Sequence, residues 1–225
     1  MNRQCLVARL GMIDYGEALD LQWGLARSRM AGDISDLLIL LEHPPTITLG
    51  LGGSRENLLL DKGSLEKQGV AFYEVERGGD VTYHGPGQLV GYPILDLRDH
   101  GQDIHVYLRK LEEVIILSLT RFGIRSGRRE GLTGVWLEDK KIASIGIHVG
   151  RWVSWHGFAL NVNTDLSYFD LIVPCGIKGV KMTSMANLLG REVPIEEVEN
   201  LIVTNFGIVF EAAMREVSLR DVLIA

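Results

Sequence analysis

An α+β fold, with mixed and mostly antiparallel sheets packed against helices, is what this sequence predicts, and three observations carry that expectation. Helix-period apolar patterns lie in the first and last parts of the chain and again between residues 103 and 123. Residues 124–162 change to short extended runs separated by turn residues, the pattern of an antiparallel meander. The longest apolar runs, at residues 37–41 and 114–119, fall far short of the roughly 20 residues that span a bilayer.

Taken in order, residues 4–10 read as a short strand. Asp14 and Glu17 form a capping box that opens a helix running to about Met30, with Gly32 as its stop. Residues 37–41 form a buried strand, and 46–49 resume extended structure after His43-Pro44-Pro45, because a residue before proline is pushed out of the helical region. Residues 50–57 read as loop, 64–68 as a short helix and 70–76 as a strand. Residues 77–97, RGGDVTYHGPGQLVGYPILDL, contain five glycines and two prolines and are expected to be a shaped loop. Gly78-Gly79 and Gly85-Pro86-Gly87 are points where backbone can turn or approach a ligand closely. Asp103 caps a helix carrying Val106, Leu111, Val114, Ile115 and Leu119 at helical spacing, and Gly123 ends it. Residues 134–138 and 142–149 flank an Asp139-Lys140 turn and lead to strands at 152–155 and 158–162. Residues 165–173 are irregular, and Pro174-Cys175-Gly176 sits in a turn-like setting. Thr183 caps a short helix to Leu189, and Pro194 fits the first turn of the last long helix.

The chain has 225 residues, 46% hydrophobic and 23% charged, with no Pro/Ser-rich linker or repeat, so residues 1–225 are expected to form one domain. A net charge of −6 argues against a general nucleic-acid binder. The N-terminus lacks the apolar core and small-residue cleavage site of a signal peptide, so a cytoplasmic protein with no membrane association is expected. Two cysteines, Cys5 and Cys175, make neither a disulfide framework nor a metal-site spacing.

Of the two thiols, Cys5 lies in a plain strand pattern and reads as a small core residue. Cys175 lies between two structure breakers and just before Lys178 and Lys181, and a cationic setting is what activates a thiol. Lys141 begins a strand next to Ile142-Ala143, so it points away from Lys140 and is a candidate for partial burial. His84 and His156 are acid/base candidates whose ordinary alternative is hydrogen bonding within a loop. Arg125, Arg128 and Arg129 form a basic cluster that reads as solvated surface or as a landing place for an acidic protein. HExxH, CxxC, Walker and GxSxG patterns are absent.

Four blocks in register resemble one family along nearly the whole chain: RGGDVTYHGPGQLVGYPILDL, KKIASIGIHV, WHGFALNVNTDL and IVPCGIKGVKMTS. The family is the lipoyl(octanoyl) transferases, or octanoyl-acyl carrier protein:protein N-octanoyltransferases. The resemblance implies a biotin/lipoate protein ligase-like fold and a cysteine/lysine dyad acting on an octanoyl thioester, without a cofactor. It makes Cys175 the acyl-accepting nucleophile and Lys141 the residue that lowers its pKa and shuttles the proton. It places substrate binding on Arg77, Gly78, Gly79, Asp80, Val81, Thr82, Tyr83 and His84, on Ser144, Ile145 and Gly146, and on Gly157, Phe158 and Ala159. The implied donor is octanoyl-acyl carrier protein. The implied acceptors are lipoyl domains of 2-oxoacid dehydrogenase complexes and the glycine cleavage H protein. Backbone N–H groups near Gly78-Gly79 or at residues 144–146 are expected as oxyanion donors.

Two rivals remain at this point. An ATP-dependent lipoate or biotin protein ligase also acylates a lysine but activates a free acid and has no need of a cysteine. A non-catalytic acyl-binding module would keep the pocket without the chemistry. Residues 77–97 then become the wall that holds the acyl chain.

Overall fold

A computed structural model describes residues 3–177 and 179–219. Along the chain the elements are β1 (Arg3–Met12), α1 (Tyr15–Ala31), β2 (Asp36–Glu42), β3 (Thr46–Leu49), α2 (Lys62–Lys67), β4 (Ala71–Glu74), β5 (Val81–His84) and β6 (Gln88–Ile94). There follow α3 (Ile104–Thr120), β7 (Gly127–Arg129), β8 (Leu132–Leu137), β9 (Lys140–Gly150), β10 (Val153–Asn161), β11 (Lys181–Met182), α4 (Met185–Leu189), α5 (Ile195–Phe210) and β12 (Ala212–Glu216). Among the described residues, the larger sheet has the order β12-β1-β2-β6-β10-β9-β8-β7, with β11 pairing β9. A smaller sheet has the order β4-β3-β5. The pairs from β2 through β6, β10, β9 and β8 to β7 are antiparallel; β1 pairs both β2 and β12 in parallel. The α+β expectation of mixed, mostly antiparallel sheets with helices holds.

Helices cover both faces of the large sheet because its strands are apolar on both sides. Leu38 and Leu40 of β2 face a cluster built with Leu111, Val114 and Ile115 of α3 and Val198, Ile202 and Phe206 of α5. Leu37, Ile39 and Leu41 face the opposite cluster with Ala18, Leu25 and Ala26 of α1. The two-residue strand period thus feeds two cores from one strand. Asp14 caps α1 by accepting hydrogen bonds from Gly16 N and Glu17 N, and Gly32 ends it at φ 85°, as the sequence indicates.

Several boundaries differ from the sequence-based expectation. Residues 77–97 are not one loop: β5 and β6 divide it, leaving bends at residues 77–80 and a tight turn at Gly85-Pro86-Gly87, with Gln88 N donating to Gly85 O at 3.1 Å. The glycine count misleads because Gly91 lies inside β6, where it makes room for the Phe158 ring of β10. Residues 152–155 and 158–162 are not two strands but one continuous β10, with His156 at φ 56° within it. α2 begins earlier than expected because Asp61 caps it, and Ser184, not Thr183, caps α4. The short strands β7 and β12 have no strong alternation and were not anticipated; β12 exists because it can extend the sheet beside β1.

A Cβ at Gly91 would lie 2.2 Å from Phe158 Cζ. Gly91→Ala should therefore lower the unfolding free energy by about 1–3 kcal/mol through overpacking. Phe158→Leu in the same chain should restore part of the loss, and urea unfolding of the two variants checks both outcomes.

Candidate active site

Lys141 is buried by the ladder that carries it. On β9 the neighbouring Lys140 is exposed, while Lys141 is only 3% exposed. The β8–β9 register slips here: Val135 pairs Ala143, yet Trp136 pairs Lys141, so one step on β8 matches two on β9. Such a slip turns a side chain to the other face, and it sends Lys141 into a cavity while Ile142 and Ala143 enter the core. β11 completes the frame by pairing Met182 with Lys141, and Thr183 N donates to Lys141 O at 2.9 Å.

Lys141 Nζ lies 3.0 Å from Cys175 Sγ and 5.2 Å from the centre of the Trp136 ring. Cys175, half-buried, occupies a 3₁₀ turn over Pro174–Gly176 with a left-handed backbone at φ 58° and ψ 17°. That conformation costs about 1–3 kcal/mol for a non-glycine residue and persists only where neighbours enforce it. They do so here: Val173 N donates to Asn57 O at 2.8 Å, and Gly176 lies so close to Asp80 that a Cβ would stand 2.3 Å from Oδ2. Asp80 is itself fixed by Asn57 Nδ2 at 2.7 Å and by Val81 N at 2.7 Å. Lys178, whose charge the sequence placed near the thiol, lies outside the described residues. Cys5 is 1% exposed, and burial raises its thiol far above the ordinary value, which leaves it an inert core residue.

One cavity of about 240 Å³ joins this pair to a second group of side chains. Of the residues expected to bind substrate, Arg77, Gly79, Asp80, Val81, Thr82, His84, Ser144, Ile145, Gly146, Gly157, Phe158 and Ala159 line it. Gly78 and Tyr83 are not in its lining. Gly78 N donates to Ile147 O at 2.8 Å, which removes it as an oxyanion donor. Tyr83 points into the smaller sheet's core, stacked on Tyr168 at 4.8 Å. Tyr15, Tyr92, Leu132 and Thr133 also line the cavity, and nothing in their sequence spacing singled them out.

Away from Lys141, the polar groups in and behind the cavity wall are largely neutral. His43 Nδ1 lies 2.8 Å from Ile13 O and must donate to it, so Nε2 accepts from the Tyr92 hydroxyl at 2.7 Å. Burial pulls His43 down to about 4. Gln88 spends its amide N–H groups on Tyr83 O and Asn161 Oδ1, so its carbonyl faces His84 Nδ1 at 2.8 Å. His84 therefore carries its proton on Nδ1, and burial with His43 and Arg77 nearby holds it well below its ordinary value. His156 is pulled down to about 3 by burial, so its 3.9 Å approach to Glu76 is not an ion pair; both ring nitrogens lack a protein partner. Arg77 is the buried cation of this wall. Its guanidinium donates to Thr48 O at 2.7 Å and to Gly78 O at 3.0 Å, and burial lowers it from its ordinary value.

Arg128 lies at the surface as expected, but its guanidinium is paired with Glu112 at 3.0 Å and with Glu113 at 2.6 Å. Arg125 and Arg129 remain exposed. Among the described residues no cluster of His, Cys, Asp and Glu could hold a metal ion, and no helix is long and apolar enough to cross a membrane.

Comparisons with known proteins establish the family and the fold. Residues 14–207 match the family described as the lipoyl protein ligase A/B catalytic domain. A relative from Solibacter usitatus named octanoyltransferase is 54% identical, with 94% of this chain and 96% of the relative covered. Another octanoyltransferase, from Syntrophobacter fumaroxidans, is 48% identical over 99% of this chain and 97% of its own. Among solved structures, a putative lipoate protein ligase from T. acidophilum with bound lipoic acid superimposes with a TM-score of 0.72 at 18% identity, covering 97% of this chain and 90% of that one. A biotin protein ligase from Aquifex aeolicus reaches 0.52 at 13% identity, covering 94% and 70%. Likenesses this distant establish the fold.

The neutral histidines predict acid sensitivity. Unfolded, they take up protons as pH falls below the ordinary value of 6.5; folded, His43 resists until about 4 and His156 until about 3. The unfolded chain binds more protons in that window, so the stability these groups contribute is complete above 6.5 and is lost as pH falls through it. Urea-unfolding free energies should decline by a few kcal/mol between neutrality and about pH 4, and His156→Gln should flatten part of that slope.

Proposed function

The chain belongs to the lipoyl protein ligase A/B catalytic-domain family, and we propose that within it this protein is an octanoyltransferase that carries the acyl group on Cys175 between a carrier-protein thioester and a lysine of a lipoyl domain. The observation that carries this reading is the 3.0 Å contact between Lys141 Nζ and Cys175 Sγ in the wall of one cavity. Octanoyltransferases at 44–54% identity over most of the chain support the reaction class.

The chemistry balances with these two side chains alone. With Lys141 as ammonium and Cys175 as thiolate, the sulfur attacks the thioester carbonyl of the acylated carrier. As the tetrahedral oxyanion collapses, the carrier's C–S bond breaks and its thiolate takes a proton from Lys141. One thioester has replaced another, so the step is close to isoenergetic and requires no ATP. The neutral amine of the target lysine then attacks the acyl-enzyme, passes a proton to the now neutral Lys141, and expels the Cys175 thiolate. The product is an amide, and both catalytic groups are back in their starting states. An ammonium beside the sulfur stabilises the thiolate charge by a charge-assisted hydrogen bond. Phe158 and Ala159 on one strand and Ile145 on the next supply apolar wall for the acyl chain. The half-exposed position of Cys175 leaves the sulfur reachable by both partners.

The proposed donor is octanoyl-acyl carrier protein, and the proposed acceptors are lipoyl domains of 2-oxoacid dehydrogenase complexes and the glycine cleavage H protein. An ATP-dependent ligase shares the fold but has no use for the thiol, and nothing at the site favours it over transfer.

Incubation with octanoyl-carrier protein should give a single covalent octanoyl adduct by intact-mass spectrometry, absent in Cys175→Ser. Lys141→Ala should slow adduct formation by roughly 10²–10⁴-fold, the usual worth of a positioned proton-transfer group. No adduct on the wild-type chain, or pyrophosphate released from ATP with free octanoate, would overturn the assignment.

A further inference from the structure

Behind the lysine stands a second set of residues that the reaction itself does not use. Gly134 of β8 has a backbone φ of 126°, and a Cβ added there would lie 2.5 Å from Lys141 Cε, 3.2 Å from Nζ and 2.6 Å from Ala143 O. The lysine's last methylene therefore occupies the place a side chain at 134 would fill. Gly134 N donates to Glu112 Oε1 at 3.0 Å. Glu112 is fully buried on α3, and its other oxygen is held by Arg109 at 2.6 Å and by Arg128 at 3.0 Å. Arg128 also donates to the Arg109 carbonyl at 2.9 Å and to Glu113. A buried carboxylate is costly unless fully satisfied, and this one spends an oxygen on the N–H of a glycine at the point where β8 slips against β9.

We propose that Gly134 and Glu112 are positioning residues for Lys141: the glycine leaves the space in which the aliphatic stem lies, and the carboxylate pins that glycine to α3 so that Nζ stays within reach of Cys175. The proposal rests on the reading of Lys141 and Cys175 as the reacting pair. Contact runs without interruption from Arg128 and Arg109 through Glu112 to Gly134, and from there through Lys141 to the sulfur. Trp136, two residues after Gly134, closes the remaining side: Lys141 Nζ is 5.2 Å and Arg129 Cζ 5.4 Å from its ring centre. An ammonium confined between an indole, a backbone without a side chain and a thiol has few other places to go.

A single assay separates this proposal from its premise. The full-length chain is alkylated with iodoacetamide from neutral to alkaline pH, and modification of Cys175 and Cys5 is followed separately by peptide mass spectrometry. Cys5, buried in the core, reports unfolding by becoming reactive. In Lys141→Ala, Cys175 alkylation at neutral pH should fall by about tenfold or more, because the thiolate has lost its cation. Gly134→Ala should reproduce that loss and its pH dependence while Cys5 stays protected. Adding Gly134→Ala to Lys141→Ala should cause no further loss, since the displaced stem is already gone.

Glu112→Gln, which keeps an acceptor for the Gly134 N–H, should retain most of the wild-type rate, whereas Glu112→Ala should behave like Gly134→Ala. If Gly134→Ala exposes Cys5, the two Glu112 variants carry the test. Wild-type alkylation in Gly134→Ala and in Glu112→Ala, with Lys141→Ala impaired, would overturn the positioning role and leave the reacting pair intact. Wild-type alkylation in Lys141→Ala would overturn the pair itself.

Discussion

A lysine ammonium kept almost wholly out of water must find its partners inside the protein, and at Lys141 that constraint orders the surroundings on every side. The ammonium has the Cys175 sulfur at 3.0 Å and the Trp136 ring face at 5.2 Å. Its stem fits only because residue 134 lacks a Cβ. Its backbone is fixed between β8 and β11, and β11 pairs β9 where β10 no longer does. These contacts come from β8, from β11 and from the turn at Cys175, so the lysine's position is set by its neighbours in the fold and not by its local sequence.

The cavity divides its electrostatic work. Next to Lys141 are the groups able to carry or accept charge: the ammonium, the thiol and the Asp80 carboxylate packed against Gly176. Burial keeps His84 and His156 in the lining, and His43 behind it, as neutral imidazoles, and hydrogen bonds fix the tautomers of His43 and His84. Arg77 is the exception, and Thr48 and the Gly78 carbonyl hold its guanidinium in place. A neutral imidazole costs far less to bury than an imidazolium, so a cavity of this kind can be polar in composition and still receive an apolar chain.

The long periodic elements were legible in the sequence. Asp14, Gly32 and Asp103 mark helix ends by side-chain chemistry that acts locally, and the structure uses all three. That Lys140 and Lys141 face opposite ways followed from strand period, but the depth at which Lys141 is buried is set by the slip against β8 and by β11. What failed to show was set by contacts distant in sequence. Gly91 looked like loop punctuation because the ring it accommodates, Phe158, lies 67 positions later. β12 has little pattern of its own and depends on an open edge at β1. Tyr15, Tyr92 and Thr133 reach the cavity from three separate elements. No spacing rule links them.

Fold alone does not decide the chemistry here. The T. acidophilum protein described as a putative lipoate protein ligase shares the architecture at 18% identity with a TM-score of 0.72, so the sheet that frames the cavity is common ground. The proposed transfer through a thiol draws instead on a turn that holds Cys175 in a left-handed conformation, which a non-glycine residue adopts only under compulsion. The compulsion comes from Asn57, which accepts from Val173, and from Asp80, whose carboxylate leaves no room for anything but glycine at 176. Asp80 belongs to the glycine-rich block and Asn57 to the loop before it. The block therefore acts twice. Part of it lines the cavity, and through Asp80 it holds the sulfur at the angle from which Lys141 can reach it. Substitutions in that block would for this reason disturb the thiol as well as the cavity wall, although the block and Cys175 lie almost a hundred residues apart in sequence.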